Sequence, residues 1–385
     1  MRILFTGGGT GGHIFPILAI KRKFADRGFN FYYVGPDSFA RKIFINPPIG
    51  EAGQGIKTNF IQAGKWRRYF SLETPLDILK IIIGILQSFW HLFLIMPDVV
   101  FSKGGYGSFP IVFVAWIYHI PVILHESDSA PGLANRILAR FAKKIILSFP
   151  GSETYFPKHK EKLVLIGNPI REELTQGDKI KGKEIFRIVS EKPIILILGG
   201  SQGAQKINEI VLYTLPRLLQ LVEIIHIAGD KNARTIVDES LKILKPYENL
   251  KQYYHLLPFL NAEELKHAYA VADLIINRAG SGGIFEIAAC GKASILIPLP
   301  NAASDHQRKN AHDFALPSGA LTKDGPRAVV LEQENLTPNI FLEQISKLLG
   351  TPNLLKEMGE KAKSFFKPNI AERIRDEIIN TAKHE

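Results

Sequence analysis

Short glycine runs, each placed after an apolar segment, are the residues of this chain best suited to chemistry. Gly7-Gly8-Gly9-Thr10-Gly11-Gly12 leads directly into His13, with Pro16 suited to a first helical turn. Six consecutive positions without a bulky side chain bring backbone N–H groups close to an anion such as a diphosphate. The plainer alternative is a turn that only packs a helix on a sheet. The run formally satisfies G-x-G-x-x-G, a weak sign of a dinucleotide site by itself. The second strand ends Tyr33-Val34-Gly35-Pro36, and Asp37 falls too late to hold an adenosine ribose. A second turn, Lys103-Gly104-Gly105-Tyr106-Gly107-Ser108, and a cluster, His125-Glu126-Ser127-Asp128, follow later apolar runs. Ligands of open parallel sheets bind outside the carboxyl ends of the strands. His13, Glu126 and Asp128 are therefore expected to share one crevice, where a histidine or a carboxylate could take a proton from a hydroxyl. For each residue alone, a structural role is an equal alternative.

The second half repeats the device. Gly199-Gly200-Ser201-Gln202-Gly203 offers backbone donors and a hydroxyl to a phosphate, and Arg278-Ala279-Gly280-Ser281-Gly282-Gly283-Ile284-Phe285-Glu286 does so again. Glu286 falls in a first helical turn, which the helix dipole favours anyway. It could equally accept hydrogen bonds from both hydroxyls of a cis-diol. Asp305-His306-Gln307-Arg308-Lys309-Asn310 adds amides and charge suited to sugar hydroxyls. The His, Asp and Cys residues show no metal-ligand spacing. Cys290, the single cysteine, excludes an internal disulfide and reads as a packed helix end.

These loops need a frame. Arg2–Thr6 and Pro193–Leu198 are apolar runs without alternation, each entering a glycine turn and then a helical pattern, as the opening βα unit of a doubly wound sheet does. The unit occurs twice, so two Rossmann-like α/β domains are expected, 1–167 and 168–368, split near Gly167-Asn168-Pro169. Residues 369–385 form an amphipathic helix expected to pack back on the first domain. Further strands are expected at Phe31–Val34, Val99–Phe101, Val122–Leu124, Ile145–Leu147, Ile224–Ile227, Leu274–Ile276 and Ser294–Ile297. Ile78–Met96 is the most apolar stretch, with Lys80, Gly84, Gln87 and His91 on one narrow helical face. It reads as a buried core helix or as a helix lying on a membrane, with Phe89 and Trp90 entering lipid and Lys65, Arg67, Arg68, Lys143 and Lys144 around it. Residues 1–167 carry 20 Lys+Arg against 10 Asp+Glu, nearly all of the +11 net charge. Anionic lipid, nucleic acid or a phosphorylated substrate would each suit that surplus. No export signal opens the chain, so a cytoplasmic protein is expected.

Taken in order, GGGTGGHIFP at 7–16, AGKWRRYFS at 63–71, KGGYGSFP at 103–110, LHESDSAPGLAN at 124–135, IGNPIR at 166–171, LGGSQGA at 198–204, NRAGSGGIFEIAACG at 277–291 and DHQRKNA at 305–311 resemble the MurG family. These are the lipid I N-acetylglucosaminyltransferases of bacterial peptidoglycan synthesis. The resemblance implies two Rossmann-like domains facing across a cleft, a glycosyltransferase B-type fold. It implies inverting transfer of N-acetylglucosamine from UDP-N-acetylglucosamine to the muramoyl 4-hydroxyl of lipid I, without a cofactor or metal. Carried onto this chain, Leu260 would read the uracil, Glu286 the ribose, and Ser201 with Ser281, Gly282 and Gly283 the diphosphate. Arg171 would lie near the phosphates, Gln307 and Asn310 would hold the sugar, and Thr10, Gly11 and Gly12 would complete the pocket. Asp128 and Asn135 are further expected substrate contacts, with His13 as the base and Glu126 its rival. The expected partners are UDP-N-acetylglucosamine, lipid I, an anionic membrane surface and other cell-wall synthesis proteins, with no nucleic acid; the expected place is the cytoplasmic face of the membrane. The family commonly has Gln-Asn after His-Glu, where this chain has Ser127-Asp128. Asparagine donates and accepts, whereas ionised aspartate only accepts. Residues 323–327 also look longer than the family's pattern. Alternatives are a related transferase with another lipid acceptor, a UDP-sugar epimerase, an NAD-dependent oxidoreductase or a non-enzymatic binder.

Overall fold

Apolar runs without alternation become the interior strands of two parallel sheets. One sheet holds β1 (Arg2–Thr6), β2 (Asn30–Pro36), β3 (Ile56–Ile61), β4 (Val99–Ser102), β5 (Val122–Glu126), β6 (Lys144–Leu147) and β7 (Leu163–Leu165), in the order β3-β2-β1-β4-β5-β6-β7. The other holds β8 (Ile194–Leu198), β9 (Glu223–Ile227), β10 (Tyr254–Leu257), β11 (Leu274–Asn277), β12 (Ser294–Leu296) and β13 (Val329–Val330), in the order β10-β9-β8-β11-β12-β13. Neighbours pair in parallel throughout. The computed structural model describes residues 1–24, 28–37, 39–45, 55–64, 74–199, 204–300, 302–316 and 325–383. Its contacts divide the chain into Met1–Ile170 with Pro368–Glu385, and Arg171–Lys367. The expected strands are all present. The strands missing from that expectation, β3, β7, β10 and β13, are the four sheet edges.

Parallel strands need crossover connections, which here cover both faces with helices. Ile3, Leu4 and Phe5 of β1 are therefore fully buried, as are Ile195, Leu196 and Ile197 of β8. Strand order reverses between β1 and β4 in one unit and between β8 and β11 in the other. At such a point the two outgoing loops part to opposite faces and leave a crevice. Register makes the loops start side by side: Thr6 pairs with Ser102, and Asn277 with Leu198. The Lys103 N–H also donates to the Thr6 carbonyl at 2.8 Å, which extends the pairing into the loops.

The helix Thr74–Ile95 is not the buried core element that its composition suggests. Leu79, Ile82, Leu86, Trp90, Phe93 and Leu94 are each at least half exposed. One narrow side seats on the first unit instead, through Asp77, Gly84, Ser88, Leu92 and Ile95. A Cβ at Gly84 would lie 2.1 Å from the Gln62 carbonyl oxygen, so only glycine allows the approach. The Gln62 N–H donates to Gln87 Oε1 at 2.7 Å, and Ser88 Oγ donates to the Gly84 carbonyl at 2.6 Å. Of the expected polar face, Gly84 and Gln87 make this seam, while Lys80 is exposed. Lys65, Arg67 and Arg68 lie outside the described residues, as do Lys323 and Asp324.

The helix Ile370–Lys383 packs on the first unit, burying Ile370, Ala371, Ile374 and Ile378 at helical spacing. Glu372 pairs with Lys23 at 2.8 Å, Glu377 with Lys144 at 2.5 Å, and Arg375 donates to the Lys23 carbonyl at 3.0 Å.

Gly84→Leu should overpack the helix seat and destabilise the first unit by about 1–3 kcal/mol. Leu86→Gln, on the outward face, should stay within about 0.5 kcal/mol of the parent. Thermal unfolding of the two variants checks the contrast.

Candidate functional site

The first glycine turn runs into the helix Gly11–Lys21, whose N-cap, Thr10, makes no side-chain capping bond to the helix backbone. Its Oγ1 lies instead 2.8 Å from His13 Nδ1, so the hydroxyl orients the imidazole and the first-turn N–H groups keep no side-chain cap. Glycines bracket the ring. A Cβ at Gly8 would come within 2.9 Å of His13 Cε1, and one at Gly105 within 3.3 Å of Nε2. Gly104 and Gly105 have φ of +75° and +82°, which excludes most other residues a second time.

Beside this lies a buried polar network at the carboxyl ends of β4, β5 and β7. Glu126 is buried, and both its oxygens are engaged: Oε1 accepts from the Asp128 N–H at 2.8 Å and Oε2 from Asn135 Nδ2 at 2.7 Å. Asn135 Oδ1 in turn accepts from the Gly105 N–H at 3.0 Å. Asp128 is half-buried on the same loop. Lys103 is also buried, with Nζ 2.9 Å from His125 Nδ1, 2.5 Å from Ser127 Oγ and 3.1 Å from Asn168 Oδ1. Burial pushes the Glu126 carboxyl up to about 7, with the Asp128 charge adding to it and the hydrogen bonds and Lys103 opposing. Burial brings the Lys103 ammonium down to about 7 against the pull of Glu126 and Asp128. His125 is held well below its usual range by burial and by Lys103.

In the second unit the helix Ser281–Ala289 starts at Gly280, again without a side-chain cap. A Cβ at Gly280 or Gly282 would meet nothing within 4 Å, so the backbone of this turn is uncrowded at both glycines. Such an end attracts anions. At Gly283 a Cβ would come within 2.5 Å of Asn277 Nδ2, where helix and strand pack. Glu286 lies one turn along, with Oε1 accepting from Arg171 and Oε2 from the Tyr269 hydroxyl, both at 3.2 Å. Leu260 is buried just before the helix Ala262–Val271, whose Asn261–Glu264 capping box fixes the turn. Gln307 Oε1 accepts from the Leu299 N–H at 3.0 Å. Asn310 is fully buried and donates to the Ala279 carbonyl at 3.2 Å, tying its helix to the loop after β11. Ser201 lies outside the described residues. Sequence reasoning did not single out Lys103 or Tyr269. Lys103 sat in a quoted motif, but nothing in the sequence marks Tyr269 as a partner of Glu286.

Comparison with known proteins matches both units. The N-terminal domain of glycosyltransferase family 28 matches residues 3–147, and the family's C-terminal domain residues 194–374. A UDP-N-acetylglucosamine--N-acetylmuramyl-(pentapeptide) pyrophosphoryl-undecaprenol N-acetylglucosamine transferase of Legionella pneumophila strain Paris is 38% identical over 348 residues, 90% of this chain and 88% of that protein. Transferase 2 of the same name from Bacillus cereus ATCC 10987 is 37% identical over 361 residues, 94% of this chain and 95% of its own. The crystal structure of Acinetobacter baumannii MurG aligns with a TM-score of 0.73 at 26% identity, covering 98% of this chain and 99% of that one. This chain belongs to the MurG family. A UDP-GlcNAc 2-epimerase from Neisseria meningitidis, bound to UDP-GlcNAc, shares the fold at a TM-score of 0.67 and 13% identity, covering 99% of this chain and 100% of that one. The MurG family thus accounts for nearly the whole length, whereas the epimerase likeness concerns the fold alone.

For this MurG family member, Gly283→Ala should cost about 1–3 kcal/mol through the clash with Asn277. Gly282→Ala should leave the melting temperature unchanged. Calorimetric unfolding distinguishes them.

Proposed function

We propose that this chain transfers N-acetylglucosamine from UDP-N-acetylglucosamine to the muramoyl 4-hydroxyl of lipid I, giving lipid II. The observation that carries this reading is its 36–38% identity, along nearly the entire length, to transferases named for that reaction. The uncapped helix ends in each unit support it, since both substrates carry a diphosphate.

In the proposed mechanism His13 Nε2 takes the proton of the acceptor hydroxyl, while Thr10 orients the ring through Nδ1. The hydroxyl oxygen bonds to the anomeric carbon from one face. The bond to UDP breaks on the other, and its electron pair stays with the diphosphate. N–H groups at Ser281, Gly282 and Gly283 take up that charge with little reorganisation; Ser201 and Arg171 are assigned beside them. Glu286 serves the ribose, because a carboxylate has about four acceptor positions and Arg171 and Tyr269 use two. Backbone groups at Leu260 read the uracil. Gln307 faces the sugar, with Asn310 shaping the same loop from beneath. Thr10, Gly11, Gly12 and Asp128 are assigned to the substrate contacts of the first unit. Glu126, buried and tied to the Asp128 N–H and to Asn135, is assigned a positioning role together with Asn135 rather than that of the base.

The outward apolar face of Thr74–Ile95 suits a membrane surface, which would keep the enzyme beside its lipid acceptor on the cytoplasmic face. Trp116 extends the apolar area and lines a cavity with Arg140, Lys143 and Lys162, a basic rim for anionic headgroups. Lys144 contributes less than its sequence position suggests, being paired with Glu377.

An assay with a lipid I analogue and labelled UDP-N-acetylglucosamine tests the reaction; no disaccharide, with turnover on another acceptor, would overturn it. His13→Ala should lower kcat by about 10²–10⁴ while calorimetry finds UDP affinity unchanged. Leu86→Glu with Trp90→Glu should abolish sedimentation with phosphatidylglycerol vesicles yet spare turnover of a short-chain soluble acceptor. Retained vesicle binding would refute the membrane face.

A further inference from the structure

The hydrogen bonds around Lys103 determine where the protons sit. His125 Nε2 lies 3.1 Å from the Gly167 carbonyl, which can only accept, and 3.0 Å from Ser148 Oγ, whose proton goes to the Glu126 carbonyl at 2.9 Å. Nε2 therefore carries the hydrogen and Nδ1 the lone pair. Lys103 Nζ thus faces three acceptors, His125 Nδ1, Ser127 Oγ and Asn168 Oδ1, which matches the three donors of an ammonium. The Ser127 hydroxyl is one of the three, so Ser127 and the buried lysine form one arrangement.

Glu126 needs such a cation. Each of its oxygens accepts a hydrogen bond, and both bonds are strongest while the group is ionised, so protonation weakens them. The weakened bond loosens the path that runs from Glu126 through Asn135 to the Gly105 N–H. A Cβ on Gly105 would meet Gly8 and His13 Nε2 at 3.3 Å, so the path ends beside the imidazole. We propose that Lys103 is a positioning residue for the transfer reaction: its ammonium keeps Glu126 a carboxylate, which holds the Gly105 loop closed on His13. The inference rests on the transferase reading above. Around the pair, Asp128 opposes the Glu126 charge, His125 is neutral, Tyr33 and Tyr106 are phenols pushed upward by burial, and His13 lies on the far side of Gly105. Arg136 does not enter: its guanidinium stacks on Tyr155 and donates to the Pro131 carbonyl.

The sign follows from the carboxylate. Activity should rise with pH as Glu126 ionises, and removing the lysine charge, which is present on the acid side of about 7, should move that limb upward. The test is the pH profile of kcat/KM for the lipid I analogue, between pH 6 and 9.5, in the wild type, Lys103→Met, Glu126→Gln and the double variant. Lys103→Met should shift the acid limb up by about one unit, a tenfold loss on the limb, with recovery toward pH 9 and unchanged UDP affinity. With Glu126→Gln in place, adding Lys103→Met should move the limb no further. A uniform loss at every pH would overturn the proposal, and so would an equal shift in the Glu126→Gln background, which would assign the effect to His13. If Lys103→Met does not fold, Ser127→Ala, which takes one acceptor from the ammonium, should shift the limb in the same direction, and an unmoved limb refutes the idea. A wild type inactive on lipid I would instead refute the transferase reading.

Discussion

Both units depend on one constraint: a parallel sheet buried on two faces can meet a ligand only at its ends. With β1 and β8 lying in the interior and neighbours turning away on either side, the backbone donors beyond Thr6, Ser102, Leu198 and Asn277 have nowhere to go but the carboxyl edge. The helices that start there forgo ordinary caps. Thr10 turns its hydroxyl to His13, and Gly280 has no side chain to offer. An N-cap side chain stabilises a helix by about 1 kcal/mol, so each uncapped end is stability withheld from the fold and kept for an anion.

Charge is handled differently in the two units. In the second, Glu286 sits near the surface between a guanidinium and a phenol, at distances that leave lone pairs in reach of a ligand. In the first, Glu126 and Lys103 are sealed from water, where each charge is held only by the other and by hydrogen bonds. Breaking such a network leaves an unpaired buried charge. That suits groups whose task is to fix loops, and it makes Glu126 a poor partner for direct proton transfer.

How much of this was legible in the sequence depended on whether the signal was local. Interior strands announced themselves as unbroken apolar runs. Edge strands did not, because β3 mixes Lys57, Thr58 and Asn59 into its run, β10 is half-buried throughout, and β7 and β13 are three and two residues long. The glycine turns were readable, since their spacing reports backbone approach. The engagement of Glu126 was not: its partner Asn135 lies nine residues on and meets it only through the turn of the loop. Hydropathy likewise marked Thr74–Ile95 without telling which side faces the sheet. Gly84 and Ser88 decide that, by being small enough to let the helix sit down on them.

The lone thiol has a practical side. Cys290 caps the helix Ser281–Ala289, points its sulfur at the Leu174 carbonyl at 3.4 Å, and is pushed up to about 12 by burial and the neighbouring Glu286 charge. A thiol held that high is scarcely ionised at neutral pH, and the thiolate is the reactive form. Alkylating dyes would pass it over. A cysteine placed on any exposed position would then be the fast-reacting one, so the natural chain already serves as a nearly silent background for single-site fluorescent or spin labelling.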